Sequence, residues 1–553
     1  MTGLSRLGRA ARLGDSTQPF DRLVKFNWGG QFIFMFALML ASFLVAGFWY
    51  PYWRVADMDF PIVYNALLLN DHLPQEMFDH PGYLPILLLS YWLRALHGIG
   101  LIQVDALSGL PPVSDVPAFS AVWTTLTQAG RVLSLLLAMG LVTAFTYLLR
   151  ALTRDWRIAA LGGFLLAFSG GMAMQMRTMR TELLSAGLCT IAVLMLLVLA
   201  RRGPWPWRPA VVGIASALFA LAMQSKVQAL FLICALPVLL LPFGPTQVQP
   251  SPHGFWQKPW MGWPALAAAA AIALVTAYLA KDIITIGLAA TSAGVPLKSL
   301  GISASMYWTA LAIWLLLGMI AYAIVWRIAT LEALTAMFAV VAGCMIGLLT
   351  LDIRFQANDA IVVLHPLETM YAWGAAANPQ LSAGGSLFGA AGVQFLLQAI
   401  AGVIARRTFI LQSSPRPAIF LEWFVIAAFV IAVRRREWRL VAEVTALMLT
   451  DWSIDLLGMG RHLEQAYFLY TDPLAIVAAA LLIARLTDLQ QHRWTYPLGV
   501  TLIAATLIVS QAEPVKHIFK RAGPEVLCQG GLQYYYHRLG VLPFCQPQPA
   551  PPK

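Results

Sequence analysis

Long apolar runs separated by short polar turns dominate the chain. The first, QFIFMFALMLASFLVAGFWY, covers residues 31–50. Others occupy roughly 123–149, 158–175, 182–200, 209–224, 227–243, 262–280, 302–325, 331–350, 417–433, 440–457, 473–487 and 496–511. Most approach the length of helix that crosses the hydrocarbon core of a bilayer. The expected fold class is therefore an all-α polytopic membrane protein with about 13 transmembrane helices.

Basic residues orient these runs. Arg6, Arg9, Arg12, Arg22 and Lys25 precede the first span, which places the N-terminus in the cytoplasm by the positive-inside rule. Arg150, Arg154, Arg157, the turn RRGPWPWR (201–208) and RRREWR (434–439) then fall on the same side. Two long segments fall outside, 51–122 and 351–416, as does the tail 512–553. Within the first, GYLPILLLSYWLRALHG carries Arg94 and His97 and reads as a helix lying on the outer surface. The stretch 388–407 is ambiguous. If it spanned, RRREWR would lie outside, so a second surface helix is expected there, with Arg406 and Arg407 outside. The Pro-rich stretch PFGPTQVQPSPHGFWQKPW separates a first module, 1–243, from a second, 244–511. No short internal repeat and no cleavable signal peptide is apparent.

Composition sharpens this picture. Hydrophobic residues make up 59% of the chain and charged residues only 11%, yet the net charge is +11. In a membrane protein that excess belongs to cytoplasmic loops and anionic headgroups. The basic residues form no folded basic domain, so no nucleic-acid partner is expected. Cys189, Cys234 and Cys344 lie in apolar runs and read as small hydrophobes. Cys528 and Cys545 lie in the tail, which is too short for a core of its own. A disulfide between them would contribute about 3 kcal/mol by loop closure and would suit an oxidising, outer compartment.

Against so few charges, one stretch stands out. Residues 56–83, ADMDFPIVYNALLLNDHLPQEMFDHPGY, hold Asp57, Asp59, Asp71, Glu76, Asp79, His72 and His80 with no Lys or Arg. A carboxylate there could serve as a general base or hold a divalent metal, with Asp57, Asp59 and His80 as the available ligands. A solvated loop is the plain alternative, since a bare DxD is a weak signal. Cations recur on the same expected side: Arg131, Arg177 and Arg180 (beside Glu182), Lys226, Arg354 (with His365 and Glu368), and Arg461 (with His462). Taken singly, each can be snorkelling to headgroups. Together with the acidic loop they suit a ligand carrying phosphate at membrane level.

The order of these features (span, outer loop with an early acid, DHPGY, surface helix, Arg-led second span) resembles the GT-C superfamily of membrane glycosyltransferases. The branch most similar in outline includes the aminoarabinose transferase of lipid A and the protein mannosyltransferases. Asp57, the LLLNDHLP segment, DHPGY, Arg131 and the small-residue turn before Lys226 carry the resemblance, which is good over about the first 240 residues and holds only in outline beyond. Many relatives have an Asp-Glu pair where this chain has Asp57-Met58-Asp59, so the choice between the two aspartates stays open.

The resemblance implies a bacterial inner-membrane enzyme that moves a sugar from a polyprenyl-phosphate donor to an acceptor hydroxyl on an envelope glycan, lipid or protein. Asp57 is the expected base, with Asp59 second or a metal ligand. Arg131, Lys226, Arg354 and Arg461 are the expected phosphate ligands. Glu76, His80, His365, Glu368, His462, Tyr467 and Tyr470 are the expected acceptor or sugar contacts, although Tyr467 and Tyr470 also read as interfacial anchors. No cofactor is required, and a divalent cation is the one left open. Intramembrane cations would equally serve a transporter or flippase of lipid-linked sugars, which internal inverted repeats would favour. A non-catalytic envelope assembly subunit is a third reading.

Overall fold

The computed structural model describes residues 28–55, 58–76, 82–202, 205–244, 255–289, 304–351, 362–367, 390–408, 418–458, 465–486, 499, 501, 505, 523–528, 536 and 538–545. Among them there is no strand. The helices are α1 (Trp28–Val45), α2 (Asp59–Asn70), α3 (Tyr83–Gly98), α4 (Val116–Thr153), α5 (Trp156–Ala167), α6 (Gly170–Gln175), α7 (Thr181–Arg201) and α8 (Arg208–Ser225). They continue with α9 (Ala229–Leu240), α10 (Pro259–Ala289), α11 (Ala304–Val325), α12 (Thr330–Leu348), α13 (Ala390–Thr408), α14 (Ala418–Arg434), α15 (Trp438–Gly458) and α16 (Asp472–Arg485).

Six of these are long and apolar enough to cross a membrane: Val116–Thr153, Thr181–Arg201, Arg208–Ser225, Pro259–Ile286, Met306–Val325 and Thr330–Leu348. Gly29–Val45, Trp156–Ala167 and Ala229–Phe243 are apolar but shorter. The chain is thus all-helical where described, with several helices suited to a bilayer. α14, α15 and α16 coincide with three more expected spans; α15 is less apolar because it carries Glu443, Asp451 and Asp455. Most of the expected span 496–511 lies outside the described residues. Exposed Leu274 and Tyr278 on α10, and Ile313, Leu317 and Ile324 on α11, present the kind of face that lipid covers.

One expected span is broken. The run 158–175 divides into α5 and α6, because Phe168 leaves the helix and Ser169 starts a new one, its Oγ accepting from the Met172 N–H. The sequence Ser169-Gly170-Gly171 favours such a break: a serine cap followed by two glycines of low helix propensity.

α4 organises the molecule. Asp115 caps its start by accepting from the Ala118 N–H, and Arg154 ends it in a left-handed conformation. Its 38 residues reach about 57 Å, well beyond a bilayer core of about 30 Å. The excess has a use. Leu135, Val142, Phe145 and Leu149 belong to the core of the helix bundle. Phe119, Trp123 and Leu126 belong to a second, smaller core with Phe60, Val63, Tyr64 and Leu67 of α2 and Ile86, Leu89 and Leu93 of α3. Leu527, Tyr536 and Leu542 of the tail complete that second core. The described parts of the segments read as an outer loop (51–122) and a tail (512–553) therefore share one capping layer at one end of the bundle. Arg131 sits in α4 where the two cores meet.

The opposite end of the bundle is knitted by arginines. Arg201 on α7 donates to Glu443 on α15 and to the Leu152 carbonyl, and Arg208 pairs with Glu332 on α12.

Candidate functional site

The acidic stretch lies in the capping layer, and most of its described acids have structural partners. Asp59 begins α2 with its side chain fully buried. Its Oδ2 accepts from Arg131 Nε at 3.0 Å and Nη2 at 2.6 Å, and its Oδ1 accepts from the Met179 N–H at 2.7 Å. Asp71 accepts from Ser108 N–H at 2.7 Å and from its hydroxyl at 2.8 Å, pinning the loop before α4. Glu76 is buried, not solvated. It accepts from the Tyr64 hydroxyl at 2.8 Å and from Arg538 Nε at 2.6 Å. Burial first, and then the neighbouring Glu76 carboxylate, hold the Tyr64 phenol well above the ordinary tyrosine pKa, so it remains a donor.

Two expected roles change on this geometry. Arg131 was assigned to phosphate, yet its guanidinium has five N–H donors and each has a protein acceptor. Besides Asp59, it donates to the carbonyls of Gly47 (3.3 Å), Tyr50 and Pro51 (3.1 Å). It staples α4 to the chain that runs from α1 into α2. Asp59 was assigned as alternative base or metal ligand. Both of its oxygens are instead occupied by protein donors, a guanidinium on one and a backbone N–H on the other. Among the described residues, no group of three or more His, Cys, Asp or Glu could hold a metal ion.

The segment returns to the bundle at Gly82, which caps α3 with φ +61°, a left-handed conformation that suits glycine. Its N–H donates to the Ser225 carbonyl at 3.2 Å, so the end of DHPGY rests on the turn that carries Lys226. That turn is built by the end of α8. Lys226 is fully buried, bonds Glu182 at the start of α7, and lies 5.1 Å from the Tyr467 ring centroid. An ammonium has three donors, so pairing with Glu182 does not exhaust it. Arg180 Nε also reaches Glu182, at 3.4 Å. Arg177 is buried nearby and donates to Ser42 Oγ at 2.5 Å. Next to Lys226, Gln224 bonds the Gly347 carbonyl at 2.6 Å and the Thr350 hydroxyl at 2.8 Å, tying the turn to α12.

Tyr467 and Tyr470 lie on a short 3-10 helix, Gln465–Tyr470, packed against α6 and α7. Tyr467 meets Lys226, whereas Tyr470 is buried. His365 is buried beside Leu364, whose carbonyl accepts from Tyr307 and Trp308 near the start of α11, at 2.7 Å each. Cys528 and Cys545 are bonded, with Cα atoms 5.3 Å apart. Asp57, His80, Arg354, Glu368, Arg461 and His462 lie outside the described residues.

Sequence reasoning passed over a second charged centre. Arg407, near the end of α13, is buried among Glu422 of α14 and Asp451 and Asp455 of α15. It had been placed outside with Arg406, on a surface helix, with no partner assigned. The signal was present: Asp451 and Asp455, four apart, share one face of an apolar helix, where carboxylates are costly without a partner. Arg538 was missed as well, and no local pattern announces it.

Comparisons with protein-family models, curated proteins and solved structures give no match to this chain.

Proposed function

We propose that the protein is an inverting glycosyltransferase of the bacterial inner membrane. It takes a sugar from a polyprenyl-phosphate donor and passes it to a hydroxyl on an envelope lipid, glycan or protein, on the face where the capping layer sits. The observation that carries the reading is the meeting of the acidic stretch with the Lys226 turn through Gly82 and Ser225. A carboxylate-rich segment and a buried cation are thus neighbours at one end of a membrane bundle. A lipid-borne phosphosugar needs both: a base for the acceptor and a cation for the leaving phosphate.

In this mechanism a carboxylate removes the acceptor's O–H proton. The oxygen attacks the anomeric carbon with inversion, the bond from that carbon to the phosphate oxygen breaks, and the electron pair leaves with the lipid phosphate. Asp59, Asp71 and Glu76 are engaged elsewhere, which turns the assignment of the base toward Asp57. Lys226 is the cation best placed for the phosphate. The Tyr467 ring lies beside it and would border the donor, and α6 packs against the 3-10 helix that carries Tyr467. The α5–α6 break, a feature of transporters, keeps a flippase as the second reading.

Asp57→Asn separates the two. It keeps size and removes the proton acceptor, so transfer from a polyprenyl-phosphate sugar in nanodiscs should fall at least about 100-fold. Thermal stability and donor binding should persist. Near-normal transfer by Asp57→Asn would refute Asp57 as base, and donor flipping without any transfer would favour the transporter.

A further inference from the structure

The end of the bundle opposite the capping layer holds a niche with more cation than acid. Its carboxylate is Glu443, in the first turns of α15, whose side chain is fully buried. Two arginines share it. Arg201, the last residue of α7, donates to Oε2, and Arg439 Nε donates to Oε1 at 3.2 Å. Both oxygens are therefore engaged. A third arginine, Arg485 at the end of α16, stands close enough to oppose the charge of Arg201, as Arg439 also does. Among the described residues, Arg485 is exposed and makes no ion pair or hydrogen bond. Three guanidiniums against one carboxylate leave two positive charges in excess.

Arginines at helix ends often serve only to answer the last carbonyls. Arg201 does this for Leu152 at 3.2 Å, and Arg439 for Gly244. Arg485 does not. Nor is Arg201 used up: its Nε–H is buried and has no acceptor among the described residues. The niche also has an apolar wall, with the Arg201 guanidinium 5.4 Å from the Phe243 ring centroid. The same end carries exposed indoles, Trp438 beside Arg439, Trp207 at the start of α8, and Trp260 and Trp263 on α10. Tryptophans of this kind mark headgroup level.

We propose that Arg201, Arg439 and Arg485 form a binding site for the phosphate of an anionic phospholipid of the surrounding bilayer. Guanidinium groups take phosphate oxygens through paired N–H bonds, and basic niches between membrane helices suit anionic headgroups. Phe243 and Trp438 give such a lipid an apolar border at the depth where its chains begin, which a soluble phosphate does not need. The site lies at the other end of the bundle from the Lys226 turn and is independent of the proposed sugar transfer.

The test uses the full chain in nanodiscs of phosphatidylcholine alone and of an equimolar mixture with phosphatidylglycerol. Wild type should unfold at a higher temperature in the mixture. Native mass spectrometry of solubilised protein titrated with phosphatidylglycerol gives the Kd of the retained lipid. Arg485→Gln should raise that Kd about tenfold, the scale of one charge-assisted contact, and remove most of the gain in Tm. Arg485→Lys should recover part of both. Each variant is compared with itself in the two bilayers, so a change in its own stability does not obscure the result.

Lys258→Gln removes the same charge from the turn before α10, which packs against α12. It should leave the Kd at the wild-type value. An equal loss in Lys258→Gln and Arg485→Gln would mean that the lipid answers diffuse surface charge, and would overturn the site. An unchanged Kd in Arg485→Gln would overturn it as well. Inorganic phosphate added to the phosphatidylcholine nanodiscs separates the two sources of the ligand. No gain in Tm is expected from it, and a gain as large as that from phosphatidylglycerol would assign the niche to a soluble phosphate instead of a lipid.

Discussion

Two buried arginines, Arg131 and Arg407, solve the same problem in opposite ways. Arg131 has one carboxylate, Asp59, and fills its remaining donors with the main-chain carbonyls of Gly47, Tyr50 and Pro51. The charges balance and every donor is placed. Arg407 has carboxylates alone: Asp455 at 2.7 Å from Nε, Glu422 at 2.5 Å from Nη1, and Asp451 at 2.5 and 2.6 Å from Nη1 and Nη2. One guanidinium there faces three acids. The first arrangement is a staple, in which each partner is needed. The second is a shared counter-ion, in which the acids compete for one cation. Equal burial thus gives the two sites different tolerance to change.

The largest expected effect is at the staple. Arg131→Ala takes the guanidinium away from Asp59, which keeps the Met179 N–H, and from three carbonyls at the junction of the two cores. Breaking a buried pair by removing one partner costs about 3–5 kcal/mol, and that loss is expected here in thermal or denaturant unfolding. A loss below about 1 kcal/mol would mean the pair is no more than a surface-type contact. Converting both partners to apolar residues, Arg131→Met with Asp59→Leu, should recover part of the stability.

Arg407→Met should cost less, about 2–3 kcal/mol, the scale of lost charge-assisted hydrogen bonds. The three acids it leaves behind can bond to one another through shared protons. Arg407 joins α13 to α14 and α15, and Val403 packs with Leu456 of α15 and Phe468 of the 3-10 helix. The end of α13 should therefore loosen first. Proteolysis or hydrogen exchange near 390–408 checks this, and protection equal to wild type would show that Val403 alone secures the helix.

How much of this was readable from the chain follows from the range of each interaction. Apolar runs announced the helices, because burial or lipid contact is decided within one segment. The break between α5 and α6 was passed over, although its signal, Ser169-Gly170-Gly171, is local too. The partners of Asp59 were not readable: Arg131 and Met179 lie 72 and 120 residues away. Sequence alone saw an acid near a membrane surface and an arginine at the head of a span, and gave each an outside ligand. Folding gave each the other. The partners of Arg407 were hidden for a related reason: the three acids that bury it come from two later helices.

A third, smaller effect lies between these extremes. Lys226 resembles Arg131 in having one carboxylate, Glu182, but it keeps donors to spare. Lys226→Met should raise the Kd for a polyprenyl phosphate about tenfold, or about 1.4 kcal/mol. Adding Glu182→Gln should restore part of the stability Lys226→Met loses, by removing the buried acid that has lost its ammonium, without restoring affinity. Affinity restored along with stability would make Lys226 a structural residue like Arg131.

The smallest effect should come from the crowded site, and it tests the contrast directly. Asp451→Asn keeps the size of the side chain and leaves an amide oxygen to accept from Arg407. It reduces the acids around that guanidinium from three to two and removes repulsion with Asp455 and Glu422. Stability should stay within about 1 kcal/mol of wild type, with an unchanged or raised Tm, because the lost attraction to Arg407 is offset by the lost repulsion. Asp59→Asn makes the same chemical change at the staple, where no second acid pairs with Arg131 among the described residues. There the Tm should fall clearly. Both variants would be unfolded by heat in the same nanodiscs. If Asp451→Asn falls as far as Asp59→Asn, then Asp451 is the dedicated partner of Arg407, the other two acids are bystanders, and the distinction between staple and shared counter-ion is lost.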